Sequence, residues 1–134
     1  MKRLWMPVLV LLSTLAVASA AEEEWKAPAR AAKKKNPVAT DARSLASGKL
    51  LYDRECASCH GAGGKGDGPS AKDLERPAGD LTDMTRAGTH SDGELFWKIT
   101  EGKKPMPALG EKLSEPERWD VVNYIRGFSA GSKP

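Results

Sequence analysis

The chain has 134 residues, a net charge of +3, 40% hydrophobic residues and 6% aromatics. That length fits one domain, and the composition excludes a polytopic membrane protein, a collagen-like repeat and a wholly disordered chain. Two cysteines exclude a dense disulfide framework.

Lys2 and Arg3 open the chain, Leu4 to Val17 is mostly apolar, and Ala18-Ser19-Ala20 is a small-x-small cleavage site. This pattern predicts a signal peptide over residues 1–20, cut between Ala20 and Ala21. The apolar stretch is shorter than the ~20 residues that span a bilayer, so no membrane span is expected after cleavage. Removing Lys2 and Arg3 lowers the net charge to +1. Residues 21–43 hold six basic and four acidic side chains, which leaves residues 44–134 at −1. A nucleic-acid binder needs a cationic face on the domain itself, and these counts give none.

Residues 21–43 are rich in Ala, Lys and Glu, with Pro28 and Pro37 and little apolar periodicity. They predict a flexible N-terminal extension. Trp25 is the exception, a large apolar side chain that either packs back or stays exposed.

The folded domain is expected over residues 44–134, with three helices. The first covers Ser44 to Cys56, with Leu45, Leu51 and Tyr52 around Gly48. The second opens on a capping box, Ser91-Asp92-Gly93-Glu94, and shows Leu95, Phe96 and Ile99 on one face. Gly102 is its expected stop. The third opens on Ser114-Glu115-Pro116-Glu117, with Pro116 where a missing N–H costs nothing. Trp119, Val122, Ile125 and Phe128 recur along it at helical spacing. The long loop after the first helix includes GAGGKGDGP at 61–69. No strand is expected, and so long a loop needs something other than secondary structure to organise it. A domain this small with few large apolar residues also needs a staple.

Cys56-Ala57-Ser58-Cys59-His60 is C-x-x-C-H, the c-type haem attachment sequence. Each cysteine forms a thioether with one haem vinyl group, and the adjacent histidine supplies an iron ligand. A thioredoxin-like dithiol would need a βαβ setting, which is absent. A zinc site would have to use Cys56, Cys59, His60 and His90, and the adjacent pair would strain one tetrahedron. A Cys56–Cys59 disulfide would close a tiny loop and stabilise little. One haem c, covalently held by Cys56 and Cys59 and ligated by His60, is the expected cofactor.

The sixth ligand is open to three side chains. Met106 sits in Lys104-Pro105-Met106-Pro107, where two prolines stiffen the backbone into an extended segment. Met84 lacks such bracing. His90 would give a bis-histidine iron of lower potential. Met106 is the preferred ligand, because thioether sulfur raises the potential and suits electron transfer.

These residues resemble the class I c-type cytochromes over about residues 44 to 128. The resemblance rests on GKLLYDRECASCHG at 48–61, GKGDGP at 64–69, HSDGELFWKITEGKKPMPALG at 90–110 and RWDVVNYIRGF at 118–128. It implies an all-α cytochrome c fold, a few short helices wrapped around one covalent haem. It implies that Gly48 and Tyr52 lie where the first and last helices meet, with Tyr124 or Ile125 as partners. It implies that Pro69 offers its carbonyl to the His60 ring, and that Met106 is the distal ligand. Residues 70–89 do not follow the mitochondrial pattern.

The expected function is a periplasmic one-electron carrier with His60 and Met106 as axial ligands, an electron-transfer protein rather than an enzyme. Its partners would be redox proteins, an electron donor and an acceptor that include membrane-bound respiratory complexes, and it would be a monomer. The alternative is a haem c subunit of a periplasmic dehydrogenase or terminal-oxidase complex. A sensory or catalytic haem with an open site and a periplasmic dithiol module are more distant readings. Lys65, Lys103, Lys104 and Lys112 could form a docking rim, although solvated lysines balanced by Glu101 and Glu111 are the preferred reading.

Overall fold

The computed structural model describes residues 24–130. The signal-peptide expectation lies outside the described residues. Within them the helices are α1 (Ala29–Ala32), α2 (Ala42–Glu55), α3 (Ala57–His60), α4 (Leu81–Met84), α5 (Asp92–Glu101) and α6 (Glu115–Ala130), with a 3₁₀ turn at Ala71–Asp73. The described residues form no strand; an isolated bridge joins Lys103 and Met106. The fold is all-α, as the sequence predicts.

The three expected helices are present as α2, α5 and α6. α2 begins two residues before Ser44, because the Asp41 side chain accepts from the Ser44 amide at 2.8 Å and caps the helix there. Both capping boxes form. Glu94 N–H donates to Ser91 Oγ at 3.1 Å, and Glu117 N–H donates to Ser114 Oγ at 3.4 Å. Ser114 N–H donates in return to Glu117 Oε2 at 2.8 Å. α5 ends at Glu101, immediately before Gly102.

α2 packs most extensively against α6. A side chain at Gly48 would run into the Asp120 carbonyl and the Tyr124 Cβ, so only glycine allows this approach. Tyr52 lies beside that contact, fully buried, with its ring 5.4 Å from Tyr124 and 5.1 Å from Phe128. Its hydroxyl donates to the Gly61 carbonyl at 2.6 Å. Tyr124 is therefore the aromatic partner that the resemblance left open between two residues. On the other side of α6, Trp119 stacks on Phe96 of α5 at 4.0 Å. Leu51, Leu95, Ile99, Leu109, Leu113, Val121, Val122 and Ile125 complete the core. Arg126 joins α6 to the start of α5, donating to Asp92 at 2.7 Å and to the His90 carbonyl at 2.6 Å.

The glycine-rich loop after α3 is organised by backbone bonds rather than by regular structure. Gly66 N–H donates to the His60 carbonyl at 2.8 Å, Gly68 to Cys59 at 3.1 Å and Ser70 to Ser58 at 2.8 Å. These amides satisfy the carbonyls that end a short helix.

Residues 24–43 differ from the flexible extension expected from composition. They form a strap packed against α5 and α6. Ser91 Oγ donates to the Ala32 carbonyl at 2.6 Å. Gly93 lies so close to the Ala31 and Lys34 carbonyls that a side chain there would collide with them. Asn36 donates to Asn123 Oδ1 at 2.8 Å, and Asn123 donates to the Val38 carbonyl at 3.2 Å. Asn123 is buried on α6, so these bonds are partly shielded from water. The sequence shows no apolar periodicity here because backbone, amide and single side-chain contacts such as Lys34 to Glu115 hold the strap.

Candidate cofactor site

A cavity of about 330 Å³ lies between the α2–α3 turn, the helices α4, α5 and α6, and the segment from Lys103 to Pro107. The turn from α2 to α3 contributes Cys56, Cys59 and His60 to its wall. Leu81 and Met84 of α4, Leu95 and Ile99 of α5, and Ile125 of α6 supply apolar surface. The segment from Lys103 to Pro107 places Met106 on the same cavity. Thus Cys56, Cys59, His60 and Met106, read separately from the sequence, border one space.

His60 Nδ1 lies 3.1 Å from the Gly79 carbonyl oxygen. A carbonyl only accepts, so Nδ1 carries the proton and Nε2 keeps its lone pair. Burial pushes the imidazole pKa below its ordinary 6.5, and the Gly79 bond opposes that only in part. Both the tautomer and the neutral charge suit a ring that ligates a metal through Nε2. The carbonyl expected here was that of Pro69. The neighbours of Pro69 are instead bonded back to α3, through the Gly68 and Ser70 amides. The chain reaches the His60 ring ten residues later, at Gly79.

Both cysteines are free thiols. Burial, aided by the Glu55 charge, raises the Cys56 pKa from 9.0 to about 12. Such a thiol is a poor thiolate, which does not suit a redox dithiol. Among the described residues, no three His, Cys, Asp or Glu side chains come together as a metal-binding group.

Met106 lies in a closed turn, not in the extended segment that its flanking prolines predict. Lys103 N–H donates to the Met106 carbonyl at 3.1 Å, and Met106 N–H donates back at 2.9 Å. Leu109 and Gly110 then bond the Ile99 and Thr100 carbonyls at 3.0 and 3.1 Å, which anchors the returning chain to α5. Met84 also borders the cavity, but on the Gly79 side. A Cβ placed on Gly79 would be 2.9 Å from the Met84 sulfur. Met84 therefore stands with the residue that holds the His60 ring. His90 is away from the cavity wall, with Nδ1 3.3 Å from Glu94.

Two further wall residues, Glu55 and Lys98, escaped the sequence reading, and a third, Trp25, was left open between packing back and exposure. Glu55 is 6% exposed at its side chain and pairs with Arg54 at 2.6 Å and Lys112 at 2.7 Å. Lys98 is 7% exposed. Its position three residues after Leu95, on the core face of α5, was the available signal. Trp25 reaches the wall from the strap. Of the lysines considered for docking, Lys103 and Lys104 border the cavity, whereas Lys112 is paired with Glu55 rather than with Glu111.

Residues 43–125 match the family described as cytochrome c oxidase, cbb3-type, subunit III. The chain belongs to this family of c-type cytochromes. Its relatives include cytochrome c6 of Anabaena variabilis, 33% identical over 81 residues that cover 60% of this chain and 87% of that protein. Cytochrome c6 of Chlorolobion braunii is 33% identical over 89 residues, 66% of this chain and 96% of that one. Among solved structures, a chain of the Kuenenia stuttgartiensis reducing HAO-like protein complex superposes with a TM-score of 0.60 at 30% identity. That match covers 69% of this cytochrome but 46% of the other chain. The KustC0563 c-type cytochrome superposes with a TM-score of 0.52 at 29% identity, over 60% of this chain and 95% of that one.

Family membership makes this cytochrome an electron-transfer protein with a covalently bound haem c. The residues present fit that group. An apolar cavity is bordered by two free thiols at C-x-x-C spacing, and the adjacent imidazole is held neutral with Nε2 available. No helix of the described residues is long and apolar enough to cross a membrane.

Proposed function

We propose that this cytochrome is a periplasmic one-electron carrier with one haem c, bound through Cys56 and Cys59 and ligated by His60 and Met106. When bound, the haem supplies the one-electron couple. The chain's residues fix its ligands and exclude water. The observation that carries the reading is the hydrogen bond from His60 Nδ1 to Gly79 O, with Met84 beside Gly79 and Met106 on a separate turn of the same cavity. Cys56, Cys59 and His60 would hold the haem, and Met106, on a turn apart from Gly79, would supply the second iron ligand, whereas Met84 packs on the residue that holds the His60 ring. Met106 sits in a turn that the Leu109 and Gly110 amides fasten back to α5, and there it would offer the iron a thioether ligand. The periplasmic location is supported by the sequence of residues 1–20.

The test is the visible spectrum of exported protein, oxidised and reduced, with and without carbon monoxide. The expected result is a low-spin spectrum with the long-wavelength iron–thioether band, unmoved by carbon monoxide. Met106→Ala should keep the covalent haem, lose that band, bind carbon monoxide and lower the potential, whereas Met84→Leu should keep the band. If Met106→Ala leaves spectrum and potential unchanged, Met106 is not the ligand.

A second reading, a haem subunit within a permanent complex, is favoured by the family description as an oxidase subunit and by the likeness to a chain of the reducing HAO-like complex. Size-exclusion chromatography of the protein from its native host separates the two. A free carrier elutes as a monomer, and a subunit elutes with its complex.

A further inference from the structure

The family match begins at residue 43, so the strap before α2 lies outside it. The strap nevertheless supplies Trp25 to the cavity wall. Trp25 is half-buried, and its ring lies 6.2 Å from that of Trp97 on α5. The Lys98 ammonium sits over the Trp25 ring, 5.4 Å from its centroid. Lys98 is itself on the cavity wall and 7% exposed. The carboxylates whose fields reach it are Glu94 of α5 and Glu24 of the strap, and Glu24 is paired with Lys26 at 2.8 Å. A lysine in such a position is the least expected residue on an apolar wall, because burying its charge costs free energy unless something favours the cation. The Trp25 face is one such favour. The rest of the strap is fastened well away from it, by Ala32 to Ser91, Lys34 to Glu115 and Asn36 to Asn123. Trp25 itself is held by the Trp97 ring and the Lys98 ammonium, on a strap that these further bonds fasten to α5 and α6.

We propose that the strap is a working part of the haem site, in which Trp25 keeps water from one edge of the cavity and holds Lys98 there as a cation, so that both raise the reduction potential. The inference rests on the haem reading above. Oxidation adds one positive charge at the iron. A neighbouring cation disfavours that charge, and so does the loss of water that would solvate it. The two effects have the same sign. Burial pushes the Lys98 pKa below 10.5, while Glu94 and Glu24 support the charged form. Trp25 is a positioning residue here, acting partly through Lys98.

The experiment is a redox titration of the haem-loaded full chain, preceded by a pyridine haemochrome assay. A wild-type protein without haem would overturn the proposed function, and this inference with it. With haem present, Trp25→Ala and Lys98→Gln should each lower the midpoint, by the equivalent of a roughly threefold change in the oxidised-to-reduced ratio. Trp25→Phe and Lys98→Arg should retain most of the wild-type value. The double variant should shift by less than the sum of the singles, because one residue positions the other. Lys98→Gln leaves the strap intact, so it reads the charge even if Trp25→Ala fails to fold. Unchanged midpoints in a haem-loaded, helical Lys98→Gln protein would overturn the role of the cation. Unchanged midpoints in Trp25→Ala, or strictly additive shifts in the double variant, would overturn the role of the strap.

Discussion

Individual side chains in this cytochrome answer to constraints of different reach. Gly48 answers to the Asp120 carbonyl, which leaves no space for a Cβ. Gly48→Ala should therefore force α2 and α6 apart and cost about 1–3 kcal/mol, the usual range for overpacking. Denaturant unfolding of the holoprotein measures this, and an unchanged midpoint would mean that the helices adjust freely. Glu55 answers to two cations. Hydrogen bonds from Lys112, and then from Arg54, hold its carboxyl below the ordinary 4.5. Its folded-state pKa is depressed, so the contribution is present above pH 4.5 and disappears as pH falls through the lower folded value. Both partners are more than half exposed, which keeps the effect small. Glu55→Gln should flatten the fall in stability below that pH, as thermal melts across an acid series would show.

At the scale of elements, the capping boxes were legible because each is written within four residues. Ser91 and Glu94 satisfy each other's backbone amides whatever lies elsewhere in the chain. Ser91 also does something its own sequence cannot announce, donating to the Ala32 carbonyl of the strap. Ser91→Ala should cost about 1 kcal/mol for the lost cap, with a further loss if the strap bond is worth something in water. Comparing the variant in the full chain and in a chain truncated before residue 40 separates the two terms. Equal losses in both would mean that the strap bond contributes nothing. The Met106 segment shows the opposite case. Two prolines predict an extended path, but reciprocal backbone bonds between Lys103 and Met106 close it into a turn. Proline fixes its own φ and biases the residue before it, yet leaves the partners of the neighbouring amides open.

For the whole molecule, the cavity is the organising fact. α2 packs on α6 and α6 on α5, and residues from α2 to α6 wall a space of about 330 Å³. A domain this small is marginal without a staple. Replacing Cys56 and Cys59 together should therefore leave a largely unfolded chain, with the loss visible in far-ultraviolet circular dichroism. A well-folded chain without covalent haem would overturn that expectation.

The all-α fold, the three principal helices and the C-x-x-C-H turn were determined by the sequence alone. Helical spacing, caps and cofactor attachment are rules of covalent distance, satisfied between neighbours in the chain. Only the tertiary structure decided that Gly79 rather than Pro69 bonds His60, and that Met84 stands beside Gly79 while Met106 does not. It alone showed residues 24–43 packed against α5 and α6, with Trp25 over Lys98. Each of these depends on which distant segments meet. Such meetings are set by the shape of the packed helices and by single hydrogen bonds to backbone carbonyls, which leave no periodic trace in the side chains.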